Sequence, residues 1–345
     1  MNSNVSLSNS GKGFNALKKR FQIDGQTLLL LGVFVVLVIF FGITENNFLS
    51  NRSISTMAFQ VPEIGILTLA MMIPTLTGGI NLSINATSNL SAVLAGLFLV
   101  KIVPQNTSPD QMVLFVALAL VIALLVGVIT GIVNGLLVGY VGVPPILATL
   151  ATMTFFTGIS TGLTKGATVT GFPDQLAVIG SQSVLGIPIP FIIFICVTLL
   201  TYLLLFQTPF GFQVRMMGTN PIASNFSGIN NKAVLMKIYI ISGVFSSVTG
   251  VLTMSRTMSA AYEYGATTFV MLTILICVLA NIIPGFGSVL NTFIAIAILQ
   301  VLSTGFHMFL MGMRGSSFFK DFSWGILMIF IFVLNYFLHD RKMQR

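Results

Sequence analysis

The sequence predicts an all-α membrane protein with about ten transmembrane helices, and three observations predict it. Hydrophobic residues make up 55% of the 345 and charged residues only 7%, a balance that leaves a water-soluble globule without enough polar surface. Apolar runs long enough to cross a hydrocarbon core of about 30 Å recur along nearly the whole chain. Between Phe210 and Lys237 they give way to a polar connector, Gly218-Thr-Asn-Pro-Ile-Ala-Ser-Asn-Phe-Ser-Gly-Ile-Asn-Asn231. The mean hydropathy of +0.98 agrees. A bundle of about 20 residues per span takes up this length as one unit, so a single transmembrane domain over 27–338 is expected rather than two soluble ones.

Residues 1–26 read as a polar tail rich in Ser, Asn, Gly and Lys, a composition with little to bury. Lys18-Lys19-Arg20 and the following run Leu28 to Ile43 look like a secretory leader. The run is too long, however, and lacks a small-x-small cleavage site, so it is expected to remain as the first span. The apolar windows lie at 27–43, 54–76, 84–102, 113–140, 145–164, 189–207, 234–254, 267–283, 288–310 and 319–338. Ten crossings put both ends of the chain on one side, with 339–345 as a second short tail. Proline and glycine inside several windows are tolerated, because neighbouring helices and hydroxyl side chains satisfy the freed backbone groups. A rough similarity of hydropathy between spans two to five and seven to ten raises the expectation of two structurally related halves.

Basic residues give the orientation. With the N-terminus in the cytoplasm, the inner side carries ten (Lys12, Lys18, Lys19, Arg20, Arg215, Lys232, Lys237, Arg341, Lys342 and Arg345) and the outer side six (Arg52, Lys101, Lys165, Arg256, Arg314 and Lys320). The excess places both termini and the connector, about 210–237, in the cytoplasm. The net charge of +8 is scattered among apolar runs, so it orients the protein and does not signal nucleic-acid binding. Cys196 and Cys277 sit in apolar runs without CxxC spacing, which indicates no metal site and no disulfide framework.

Small residues mark helix contacts. Gly127, Gly131, Gly135 and Gly139 recur every four residues, lining one helix face where a neighbouring backbone can approach. At Leu76-Thr-Gly-Gly-Ile-Asn-Leu-Ser-Ile-Asn85 a few polar residues separate two apolar windows. This is either a plain turn or a helix broken at membrane depth, where irregular backbone survives only when buried in protein or facing a water-filled path.

Glu63 is the one acid inside a window, next to Pro62 and near Gln60. Three readings stand for it: a proton site, an acceptor for solute hydroxyls, or a structural acceptor beside a helix opened by Pro62. The neutral donors and acceptors Thr77, Asn81, Asn85, Asn89, Asn134, Thr149 and Thr152 suit a hydroxylated solute, and equally suit binding helix to helix. No cation is expected at mid-span, which disfavours an anionic solute. The connector reads as a short helix punctuated by Gly218 and Gly228, with Pro221 in its first turn. Ala223, Phe226 and Ile229 offer apolar points suited to a partner's groove. Gly11-Lys12 lacks the spacing of a phosphate-binding loop, so any ATP hydrolysis belongs to another chain. No catalytic constellation is legible, and no cofactor or metal is expected.

In this order the motifs resemble the permease subunits of bacterial ABC importers for ribose-like and other simple sugars, a group that includes autoinducer-2 and branched-chain amino-acid permeases. Gly78-Gly79-Ile80-Asn81-Leu82-Ser83 is similar to that family's Gly-Gly-Ile-Asp-Leu-Ser element. Val143-Pro144-Pro145-Ile146-Leu147-Ala148-Thr149-Leu150 is similar to its Val-Pro-x-Phe-Ile-Ala-Thr-Leu element. Gly218-x-Asn220-x-x-Ala223 followed by Ser227-Gly228-Ile229 is similar to the segment that docks on the ATPase. Pro284-Gly285-Phe286-Gly287-Ser288 stands at an expected Gly-rich turn, and Phe318 with Trp324-Gly325 fits the final span. Departures are Asn81 for Asp, Asn85 for a common Gly, and Ala280-Asn281 for Gly-Gly.

The resemblance implies a subunit of the bacterial cytoplasmic (inner) membrane that is not itself an enzyme. It would pair with an identical or related permease, rest Gly218, Asn220, Ala223, Phe226, Gly228 and Ile229 against ABC ATPase subunits, and receive a small molecule from an extracytoplasmic binding protein. Alternating access would carry a small neutral sugar or sugar-like solute past Glu63, Thr77, Gly78, Gly79, Asn81, Asn85, Asn134 and Thr149. Nucleoside, riboflavin-like and autoinducer-2 solutes stay open, as does a proton-coupled secondary transporter working through Glu63.

Overall fold

The computed structural model describes residues 25–104 and 107–310, together with Phe322, Gly325, Ile326 and Ile329. Its helices are α1 (Gly25–Thr44), α2 (Asn51–Thr75), α3 (Ile84–Leu97), α4 (Pro109–Gly135), α5 (Pro145–Thr164), α6 (Asp174–Ser181), α7 (Ile189–Phe206), α8 (Pro209–Thr219), α9 (Pro221–Phe226), α10 (Asn231–Thr257), α11 (Ala266–Leu279) and α12 (Val289–Phe309). Wider π-type turns continue α3 to Ile102 and α4 to Val141. Strands are confined to two-residue pieces: β1 (Val169–Thr170), β2 (Ser183–Val184), β3 (Ile187–Pro188) and β4 (Ser259–Ala260). Proline sits in the first turn of α4, α5, α7, α8 and α9, where its missing N–H costs nothing and its fixed φ suits the helix.

The protein is an all-α, multi-pass membrane protein. Among the described residues, eight helices are long and apolar enough to cross a membrane: α1, α2, α3 and α4 with their continuations, α5, α7, α10 and α12. Large apolar side chains such as Val36, Leu114 and Phe155 point outward, each more than 60% exposed, a surface that suits acyl chains and not water. The expected ten spans are not all found. The window 267–283 yields only the 14-residue α11, about 21 Å long at 1.5 Å per residue. Its apolar run continues through Ile282 and Ile283, but Asn281 takes a left-handed φ of 55° and Ile283 closes a tight turn with Phe286. The window 319–338 falls almost wholly outside the described residues, as do Phe318, Trp324 and both tails beyond Gly25.

The innermost helix is α3, buried on nearly every face from Ile84 to Gly96 and packed by α2, α4, α5, α10 and α11. It therefore needs no amphipathic stripe, and its Asn85, Thr87, Ser88, Asn89 and Ser91 are all buried. Against it lies α10, which α4 grips through the glycine row. A Cβ at Gly131 would stand 2.5 Å from the Tyr239 carbonyl oxygen and 2.6 Å from Ile240 Cα, and one at Gly135 2.7 Å from Met236 Sδ. Removing the side chains lets two backbones touch, which gains dispersion where lipid offers no hydrophobic drive.

The helices run back and forth between two ends. At one end Thr27 Oγ1 bonds Asn291 Oδ1 at 2.7 Å, Gly285 N–H bonds the Leu76 carbonyl at 2.8 Å, and the α8–α9 connector lies beside them. At the other, β1 pairs with β4 and the 258–265 turn covers α3. The start of α1 and the connector thus share one end.

Candidate functional site

The connector is a built element. Asn220 Oδ1 accepts from the Ile222 and Ala223 N–H groups, both at 3.0 Å, and caps α9. Gly228 at φ 81° ends it, a left-handed turn that costs glycine nothing. Asn231 ties the first residue and the middle of α9 to the start of α10, donating to the Pro221 carbonyl at 2.8 Å and accepting from Ser224 Oγ at 2.9 Å. Fixed this way, α9 presents Ile222, 70% exposed, and Phe226, 90% exposed, one turn apart, with Ala223 beside them. Ile229 points inward and packs on the core. Sequence reasoning overlooked Ile222, which the i, i+4 spacing to Phe226 would have revealed.

Gly218 does not start this helix; it lies inside α8. A Cβ there would collide with the Leu76 carbonyl and the Gly285 backbone, while Gly285 itself, at φ 81°, presses on Thr219. The α8 end, the turn after α2 and the α11–α12 turn meet backbone to backbone at this point. Gly218→Ala is expected to cost about 1–3 kcal/mol through overpacking, seen as a lower thermal midpoint of the solubilised protein. Gly158→Ala, with nothing within 4 Å, should be neutral; equal behaviour of the two would mean the junction yields. Nearby, the Arg215 guanidinium stacks 4.0 Å from the Phe206 ring centre, its Nε and Nη2 buried with no hydrogen-bond partner among the described residues. Burial lowers its pKa from the ordinary arginine value.

Leu76 to Ser83 form a turn at the same end, sealed by side chains. Asn81 donates to Ser242 Oγ at 2.9 Å, and Ser242 donates to the Ala70 carbonyl at 2.8 Å. Asn81 Oδ1 accepts from the Ser83 N–H and hydroxyl, Asn134 donates to Ser83 Oγ at 2.8 Å, and Thr152 donates to Asn134 Oδ1 at 2.6 Å. Thr149 Oγ1 accepts from the Leu82 N–H at 3.1 Å and lies 3.0 Å from the Ile80 carbonyl. Thr77 bonds back to Pro74, Gly78 takes φ 80°, and Gly79 leaves room for the Tyr239 hydroxyl. One hydrogen-bonded chain thereby joins α5, α4, α3, α10 and α2, satisfying irregular backbone inside the protein.

Glu63 lies elsewhere. Arg256, at the far end of α10, donates Nε to its Oε1 at 2.8 Å and Nη2 to its Oε2 at 2.9 Å, a bidentate pair. The Tyr264 hydroxyl accepts from Arg256 at 3.0 Å and donates to Glu63 at 3.3 Å. Burial, helped by the Glu63 charge, pushes that hydroxyl up to about 12, so it stays a proton donor. Asn85 and Asn89 hold the Tyr264 turn from below through its backbone carbonyls, at 2.9 Å each. The pair opens on a cavity of about 380 Å³ bordered by Gln60, Ile64, Phe269, Ile296, Gln300 and Ser303.

The sequence-derived path residues therefore separate. Thr77, Gly78, Gly79, Asn81, Asn134 and Thr149 gather in the sealed turn, and none borders this cavity. Glu63 borders it, and Asn85 supports it. A cation beside Glu63 was not expected, and Arg256 was counted with an outer loop because its window stopped at 254; α10 runs to Thr257. Its charge is folded inward onto Glu63, and among the described residues the net charge of the lining stays zero.

A family model described as branched-chain amino acid transport system / permease component matches residues 53–333. Among curated relatives, the autoinducer 2 import system permease protein LsrD of Yersinia pestis (strain Pestoides F) is 31% identical over 296 residues, covering 82% of this chain and 84% of its own. The protein of the same name from Yersinia pseudotuberculosis serotype O:1b (strain IP 31758) is 30% identical over the same shares. No solved structure matches.

Proposed function

Since the chain belongs to the branched-chain amino acid transport system / permease component family of ABC-importer permeases, we propose that it carries a small uncharged sugar or sugar-like solute inward, driven by ATP hydrolysis on separate ATPase subunits. The observation that carries this reading is α9, a capped helix clamped to α10 whose Ile222 and Phe226 are left exposed by the described residues. An amphipathic helix docks by such i, i+4 anchors in a partner's groove. In this reading the connector end faces the cytoplasm of a bacterial cell, as Lys18, Lys19 and Arg20 in the preceding tail favour. A second permease, identical or related, and an extracytoplasmic binding protein complete the importer. Autoinducer 2, a nucleoside or a riboflavin-like molecule belongs within the solute class.

Motion of α9 would pass through the glycine junction at Gly218 into the turns after α2 and α11, and reorient the helices about the path. A proton-coupled carrier working through Glu63 is less well supported, since Glu63 is held by a fixed guanidinium and a tyrosine hydroxyl. In vesicles holding this chain, its ATPase and its binding protein, Phe226→Asp is expected to cut ATP-driven uptake by more than about tenfold, the scale of one lost interface anchor. The variant should insert normally. Unchanged uptake, or uptake that a proton uncoupler abolishes without ATP, overturns the reading.

A further inference from the structure

We infer that the cavity beside Glu63 and Arg256 is a solute subsite for one uncharged, polyhydroxylated molecule of monosaccharide size; this rests on the importer reading above and specifies its substrate site. The cavity, about 380 Å³, falls within the range of about 300–1,000 Å³ typical of small-molecule sites. Its polar wall is incompletely satisfied by the protein. Gln300 donates to Gln60 Oε1 at 3.0 Å and to Thr304 at 3.1 Å. That leaves Gln60 Nε2, Gln300 Oε1 and Ser303 Oγ without partners among the described residues, and none is a buried orphan. Donors and acceptors alternating at short range are what vicinal hydroxyls require, each hydroxyl being both donor and acceptor.

Charge narrows the class. Among the described residues, Glu63 and Arg256 are the only ionised groups on the lining and cancel each other. An anionic or cationic solute would leave water for a site with no unmatched countercharge, a desolvation loss without compensation. A neutral solute meets the pair as a strong dipole. The same lining includes Phe269, Ile64 and Ile296, which supply apolar surface for C–H groups. A wider cavity of about 680 Å³ shares Gln60 and Ser303 and reaches Glu45, Arg52 and His307 at the end away from the connector. Solute thus has an approach from the side on which a binding protein would sit.

The test places one cysteine in the wall. Ser303→Cys, in a Cys196→Ala background and assembled with the ATPase, is treated from the binding-protein side with a small, membrane-impermeant methanethiosulfonate. D-ribose, autoinducer 2 and adenosine are the uncharged probes and D-ribose 5-phosphate the charged one. Labelling is expected to be slowed by at least one uncharged probe and not by the phosphate, and Gln300→Leu should raise half-saturation for that probe about tenfold. Protection by none of the uncharged probes, or equal protection by the phosphate, overturns the subsite. If ATP-driven uptake continues in that case, the importer reading survives; if the parent shows none for any solute, that reading fails first.

Discussion

Gly131→Val is expected to leave almost no folded protein in the membrane. The added Cβ would come 2.5 Å from the Tyr239 carbonyl oxygen and 2.6 Å from Ile240 Cα, atoms of a helix backbone that no rotamer change can move aside. The methyl groups of valine deepen the clash. Gly243 faces the same seam from α10 and would clash in turn with Gly127, so relaxation has to separate two whole helices. Because α10 also packs on α2 and α3, separation opens the centre of the bundle. Overpacking usually costs about 1–3 kcal/mol, and a backbone-to-backbone contact lies at or above the upper end. Gly162→Ala, on α5 with nothing within 4 Å, is the matched control. Membrane-inserted yield and monodispersity in detergent are the readouts; wild-type yield for Gly131→Val would show that α4 and α10 do not meet as described.

The second large effect is expected at the ion pair. Glu63→Gln strands the Arg256 cation, and Arg256→Gln strands the Glu63 carboxylate, whose side chain is only 6% exposed. Breaking a buried pair from one side costs about 3–5 kcal/mol. Arg256, 28% exposed, keeps some water, so Glu63→Gln should fall near or below about 3 kcal/mol and Arg256→Gln should be the worse variant. The double variant Glu63→Gln with Arg256→Gln leaves neutral groups facing each other and should recover much of the loss. A thermodynamic cycle on the purified chain reads this directly; strictly additive losses would mean the two groups do not interact. Uptake adds a separate test: full transport by Glu63→Gln would remove every functional role for the carboxylate.

Much of the connector was legible because its signals are local. A capping Asn, a first-turn Pro and a terminal Gly act within a few residues, and α9 forms where they stand. Gly218 was misplaced for the complementary reason: its neighbours, Leu76 and Gly285, are remote in sequence, so a packing glycine looked like a turn glycine. The glycine row of α4 was read correctly as a packing face, but nothing in its spacing named α10 as the partner. The end of α11 was lost because apolar side chains continue past it into a turn, and hydropathy does not distinguish a buried turn from a helix.

By itself, the sequence determined that this protein lives in a bilayer, which family it belongs to, and where one capped polar helix interrupts the spans, since composition, motif order and capping are properties of short stretches. Only the tertiary structure decided that Glu63 meets Arg256, 193 positions away, and that Asn81, Asn134 and Thr149 join in one hydrogen-bonded turn apart from that pair. Helices of similar apolar content can be rotated and tilted against one another in many ways. Which side chains face a neighbour and which face open space is settled by the close packing of all of them together.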